Sequence, residues 1–146
     1  MKHLFMISAF GLIASSALAD GHASTRGDAS AGEQQFNRQC GACHVVQDAS
    51  GAILAGRSTK PGPNLFGVAG RVVGTVADVR YGDSLLAVGD TGAIWSEDAF
   101  VAYVQDPTSW LRDTLQDRRA RSKMAYRVRA ESEAFDLYAY LASVGN

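Results

Sequence analysis

The sequence predicts an all-α fold, four or five helices joined by long irregular loops and wrapped around something that is not protein. Three observations predict it. Apolar residues recur at three- and four-residue spacing in several short stretches, and no stretch alternates convincingly as a strand would. Two long irregular stretches, 47–62 rich in Gly, Ser, Ala and charged groups and 67–82 with many glycines and short apolar pairs, are unusual without something to pack on. The third observation is Cys40-Gly41-Ala42-Cys43-His44, two thiols three residues apart followed directly by a histidine. Such thiols form thioether bonds to the two vinyl groups of one porphyrin, and the histidine is then close enough to ligate its iron. A large apolar disc of that kind replaces part of a protein core.

Taken in order, the chain begins with a segment that reads as a targeting signal rather than as fold. Lys2 and His3 form a short positive start, Leu4 to Ala14 is almost continuously apolar, and Ala17-Leu18-Ala19 gives a small-x-small cleavage pattern. Residues 1–19 are therefore expected to be a signal peptide cleaved before Asp20, with the protein exported to the periplasm. The other reading is a retained anchor, but an apolar run of about eleven residues is well short of the roughly 20 that span a bilayer. Export suits the motif, because haem of this type is attached outside the cytoplasm. Residues 20–29 read as a flexible lead-in, and 30–146 as one domain large enough for a core around a cofactor.

Ser30-Ala31-Gly32-Glu33 matches a capping box, with Ser30 as the cap. Gly32, Phe36 and Cys40 follow at steps of four along one helix face. Glycine inside a helix costs about 1 kcal/mol against alanine, so Gly32 points to a close crossing by another element or else to fraying. The stretch 47–62 reads as an extended surface loop. Pro61-Gly62-Pro63 within it is stiff and cannot be helical; it is either a plain turn or a carbonyl aimed at the far ring nitrogen of His44. Gly67 to Gly82 reads as loop, and Asp83-Ser84 as the cap of a short helix through Val88. Ser96, followed by Glu97 and Asp98, starts a helix that runs to about Gln105 and stops before Pro107. A short helical piece spans 109–115. The last helix, about Ser132 to Val144, buries Ala134, Leu137, Tyr138, Leu141 and Ala142 and ends at Gly145.

An inventory narrows the iron ligands. The only cysteines are Cys40 and Cys43; His3, Met1 and Met6 leave with the signal, and His22 lies in a polar, Gly/Ser-rich start. One methionine remains, Met124, in Ser122-Lys123-Met124-Ala125-Tyr126. A lone methionine is more often core filler than ligand. With a Cys-x-x-Cys-His upstream and no competing histidine, it becomes the candidate sixth ligand; otherwise the iron stays open to small molecules.

The segments Cys40 to His44, Pro61 to Gly67, Trp95 and Ser122 to Tyr126 together resemble class I cytochrome c. More narrowly, the chain is similar to the large periplasmic alphaproteobacterial type (cytochrome c-two-like) related to mitochondrial cytochrome c, over about residues 28–144. The resemblance implies the class I cytochrome c fold and one haem c, attached through Cys40 and Cys43, with His44 and Met124 as axial ligands. It implies that Pro63 supplies the carbonyl for His44, that Arg71, Tyr81 and Trp95 surround the haem propionates, and that Tyr103 and Ser122 lie on the methionine side. It also places Gly32, Phe36 and Tyr140 at the crossing of the first and last helices. Tyr126 and Ser122 depart from the Phe and Thr common at these positions.

An iron held by both His and Met passes electrons but does not readily bind oxygen or peroxide, and a soft thioether with apolar burial raises its potential. The expected function is a soluble one-electron carrier, not an enzyme, between a quinol-oxidising cytochrome complex and a terminal oxidase, reductase or photosynthetic reaction centre. The alternative is a haem enzyme or gas sensor with a labile Met124; a thiol oxidoreductase using Cys40 and Cys43 lacks its strand-then-motif context. Without residues 1–19 the chain has 13 Lys+Arg and 15 Asp+Glu, yet residues 110–130 hold seven basic groups against two acidic. That cluster is either a solvated surface or a docking face for acidic redox partners through Arg118, Arg119, Arg121, Lys123 and Arg127. A monomer that binds no nucleic acid is expected.

Overall fold

In the computed structural model, which describes residues 25–57 and 61–145, five α-helices and one small hairpin surround a cavity. The expected signal peptide over 1–19 lies outside the described residues. Helix α1, Ala29–Gln35, runs directly into a wider π-helical turn, Phe36–Cys40, that ends at the first cysteine. Its start corrects the capping box. Asp28, not Ser30, has the extended backbone of a cap, and its carboxylate accepts from the Ala31 amide at 2.9 Å. Aspartate caps as well as serine does, and beginning earlier satisfies further amides with a charged acceptor. The lead-in expected to be flexible over 20–29 lies partly outside the described residues. Its end is held: Arg26 bonds Glu97 and Asp98 and lies 4.1 Å over the Phe135 ring.

Gly32 marks a close crossing. A Cβ built there would fall inside the Asp136 carbonyl and 2.8 Å from the Tyr140 Cβ, so α1 passes the last helix, α5 (Glu131–Val144), with its backbone against the partner. Phe36, fully buried, completes the crossing with its ring tilted on Tyr140 at 5.8 Å.

A second correction concerns 47–62. Strand β1, Val45–Gln47, pairs antiparallel with β2, Ile53–Gly56, where loop was expected. Three residues are too few to show alternation, so the pairing leaves no periodic trace. The β-branched Val45-Val46 pair and the turn chemistry of Asp48 carry it: Asp48 Oδ1 accepts from the amides of Ser50 at 2.8 Å and Ala52 at 2.9 Å.

Residues 67–82 hold no helix or strand, and three backbone bonds tie them to 93–95: Gly70 N donates to Trp95 O, Trp95 N to Arg71 O and Val73 N to Ala93 O, each at 2.9 Å. Helix α2 is Asp83–Asp90, two residues longer than expected, and its flanking cap residue is Gly82. Helix α3, Glu97–Gln105, starts as expected with Ser96 Oγ accepting from Ala99 N at 3.2 Å. Helix α4, Pro107–Leu115, begins two residues earlier than the piece expected over 109–115. Asp106 caps it through Ser109 N at 3.0 Å, and Pro107 suits the first helical position because its missing amide would be unpaired there. Helix α5, Glu131–Val144, closes the chain. Among the described residues no helix is long and apolar enough to cross a membrane.

Candidate haem site

A cavity of about 680 Å³ opens between the end of the α1 segment, the 61–71 loop, α3, α5 and the irregular stretch before α5. Its inner wall is apolar, built by Leu65, Val68, Phe100, Val104, Leu137 and Leu141. The volume lies in the range of cofactor pockets. All ten residues expected to serve the site, Cys40, Cys43, His44, Pro63, Arg71, Tyr81, Trp95, Tyr103, Ser122 and Met124, border it.

The attachment wall follows from local backbone. Cys43 N and His44 N both donate to Cys40 O at 2.9 Å, a tight turn that folds the motif back on itself and brings both thiols to one rim. Both cysteines are unpaired, Cys40 half-buried and Cys43 exposed. Burial pushes the Cys40 thiol up to about 12, with Cys43 a lesser cause, so it is a neutral apolar-facing group. His44 Nδ1 lies 3.0 Å from Pro63 O. A carbonyl only accepts, so Nδ1 carries the proton and Nε2 keeps a lone pair. Burial lowers the His44 pKa more than the Pro63 bond raises it, which keeps the ring neutral near pH 7. Neutral imidazole with one nitrogen fixed by a carbonyl is the form that binds iron. Gly62 makes the approach possible: a Cβ there would lie 2.5 Å from His44 Cε1 and 2.7 Å from Cys43 O.

On the other side, Met124 is half-buried in a stretch with no regular structure. Ser122 Oγ accepts from Met124 N at 3.0 Å and lies 3.1 Å from Tyr103 Oη. Tyr103 itself packs against both Trp95 and Trp110, with ring centroids at 5.0 and 5.4 Å. Further along, Val128 N donates to Val104 O at 2.9 Å, which seats the end of the stretch on α3.

At the cavity's polar end, Arg71 donates to Phe66 O at 2.8 Å and Asn64 O at 3.2 Å. Burial lowers its pKa, and among the described residues no carboxylate pairs with it. Burial also raises the Tyr81 pKa. A half-buried guanidinium without a counter-ion, beside a tyrosine hydroxyl, suits an anionic substituent on whatever fills the cavity. Two facing thiols, an oriented neutral imidazole, a thioether and this cation fit a porphyrin with two vinyl groups and two carboxylates.

The basic cluster divides in the structure. Arg121 and Lys123 border the mouth, whereas Arg118 and Arg119 are exposed outside it, and Arg127 pairs with Asp106 at 3.0 Å. Two basic residues that sequence reasoning missed, Arg38 and Arg80, also border the mouth. Lys123 Nζ donates to Arg80 O at 2.9 Å, linking positions forty-three residues apart that no local pattern connects.

No family model matches the chain. Curated relatives do. The chain is 56% identical over 119 residues to cytochrome c2 of Rhodovulum adriaticum, covering 82% of this chain and 94% of that one. It is 53% identical over 119 residues to cytochrome c-551 of Roseobacter denitrificans, covering 81% of each. Among solved structures, cytochrome c2 from Rhodobacter sphaeroides superposes with a TM-score of 0.78 at 45% identity, covering 82% of this chain and 97% of the other. Identity of this level across most of both chains, with the attachment motif and cavity in place, shows the family. The chain belongs to the class I cytochromes c of the cytochrome c2 type, an electron carrier and not an enzyme, with one haem c bound covalently.

Proposed function

We propose that the protein is a soluble periplasmic shuttle, exported by a signal peptide cleaved before Asp20. It takes single electrons from a membrane quinol-oxidising cytochrome complex and delivers them to a terminal oxidase, reductase or photosynthetic reaction centre. The observation that carries this reading is that His44 and Met124, eighty residues apart in the chain, border one apolar cavity together with both cysteines.

Bound haem supplies a one-electron iron couple; the chain's own residues hold it and set its environment. Cys40 and Cys43 would hold it covalently, one thioether bond to each of its two vinyl groups. His44 Nε2 and the Met124 thioether would hold its iron, with Pro63 fixing the imidazole through Nδ1. Ser122 holds the Met124 backbone, with Tyr103 bonded to Ser122 in turn, and Arg71, Tyr81 and Trp95 would face the propionates. Apolar walls disfavour the extra charge of ferric iron and so raise the potential.

Partners dock at the mouth, where Arg38, Arg80, Arg121 and Lys123 ring the opening on a chain that is acidic elsewhere. Such an asymmetric charge steers an acidic surface toward the opening and makes association fast and salt-sensitive. The test is turnover by purified membrane complexes of wild type and an Arg121→Glu, Lys123→Glu variant. The variant should react at least about tenfold more slowly at low ionic strength, with a flattened salt dependence. Equal rates would remove the rim from the account.

A further inference from the structure

Two residues beyond Met124, the chain is tied across the cavity mouth. Tyr126 is 48% exposed, and its hydroxyl donates to Gln39 Oε1 at 2.9 Å. Gln39 immediately precedes Cys40, so this bond joins the methionine side of the mouth to the attachment side. The Gln39 amide is fully committed: its Nε2 donates to Gln35 Oε1 at 2.9 Å and to Glu133 Oε2 at 3.2 Å. With both N–H groups engaged in the α1 segment and α5, the carbonyl oxygen is left aimed at Tyr126.

The stretch 121–130 has no helix or strand of its own, so side-chain and isolated backbone bonds set its position. Before Met124 they come from Ser122 and Lys123; after it the next backbone anchor is Val128. Residues 125–127 between are exposed, and there the Tyr126 hydroxyl reaches back to the opposite side. A phenylalanine at 126 would cover the same surface and break the tie to the attachment side, leaving the Arg127–Asp106 ion pair at 3.0 Å as the side-chain bond of this piece.

We propose that the Tyr126 hydroxyl, through Gln39, is a latch that sets how often the 122–128 segment opens and lets an outside ligand replace Met124. Tyr126 and Gln39 are thus positioning residues for the sixth ligand, and the proposal rests on the Met124 ligation proposed above.

The test uses the ferric holoprotein with imidazole as the probe, at fixed neutral pH, in wild type, Tyr126→Phe, Gln39→Ala and the double variant. The thioether charge-transfer band is recorded first, then the rate at which imidazole displaces it, and the thermal midpoint. The band should be present in all four. Displacement should be about three- to tenfold faster in Tyr126→Phe, the range one net hydrogen bond supports, and the double variant should be no faster than the faster single. Absence of the band in wild type would remove Met124 as ligand, and with it the latch. Presence of the band with unchanged displacement rates, even if the thermal midpoint falls, would leave the ligation intact and overturn the latch. Multiplying effects in the double variant would overturn the shared bond. Tyr126→Phe, which loses one oxygen atom, decides alone if Gln39→Ala loads haem poorly.

Discussion

The chemistry of the site is decided by a few atoms around His44. Its ring is neutral because it is buried, and it is oriented because Nδ1 faces the Pro63 carbonyl at 3.0 Å. Gly62 is the residue that lets that carbonyl come so near. In Gly62→Ala the new methyl would press on the imidazole and on Cys43 O, and relief requires the 61–63 turn to move away. The expected result is a loss of about 1–3 kcal/mol in stability and a shifted reduction potential, read by denaturant titration and voltammetry. A potential equal to wild type would show that the Pro63 bond does not tune the iron. At this scale the sequence was informative wherever chemistry needs a rare residue: with two cysteines and one methionine outside residues 1–19, candidates had few rivals. It was uninformative for common residues whose role depends on the fold. Arg38, Arg80 and Gln39 carry no mark in their local sequence, and only packing brings them to the mouth.

Elements are positioned by close backbone approach and by capping. Gly32→Ala would push a methyl into the Asp136 carbonyl at the α1–α5 crossing, where backbone cannot yield cheaply. A loss of at least about 2 kcal/mol is expected in chemical denaturation, with the absorption spectrum of the folded holoprotein unchanged, since neither Gly32 nor Asp136 borders the cavity. The hairpin and α4 depend instead on carboxylates. Hydrogen bonds from Ser50 and the Ala52 amide hold the Asp48 carboxyl below its usual range, and the Ser109 amide does the same for Asp106. A carboxylate whose pKa is lower folded than unfolded stabilises above its unfolded value, near 3.9, and that contribution is lost as pH falls through the folded value. Asp48→Asn keeps an acceptor oxygen but cannot titrate. Its denaturation midpoint should therefore fall less steeply than wild type below about pH 4; parallel acid limbs would contradict the assignment. The helices were legible because each apolar face repeats over several turns, and Ser96 announced its helix by residue type and following acids. The hairpin was not legible, because two strands of three and four residues are shorter than any period they could display. The α1 start was misplaced because Asp28 and Ser30 are both good caps, and local sequence does not choose between them.

Across the whole molecule, long loops and a small number of helices make sense as a shell. The cavity is walled by residues scattered from 38 to 141, so filling it joins segments far apart in the chain. Part of the basic charge follows the same arrangement: Arg38, Arg80, Arg121 and Lys123 ring the opening, whereas Arg118 and Arg119 lie outside it. Everything in the functional account depends on whether the iron is closed by the methionine at that opening. The most direct measurement is the ferric absorption spectrum and reduction potential of Met124→Ala beside wild type. The account expects the thioether charge-transfer band in wild type, its loss in Met124→Ala, a lower potential, and rapid carbon monoxide binding to the reduced variant alone. A variant that kept the band and the potential would show that Met124 is not the sixth ligand, and that the iron is closed by another group.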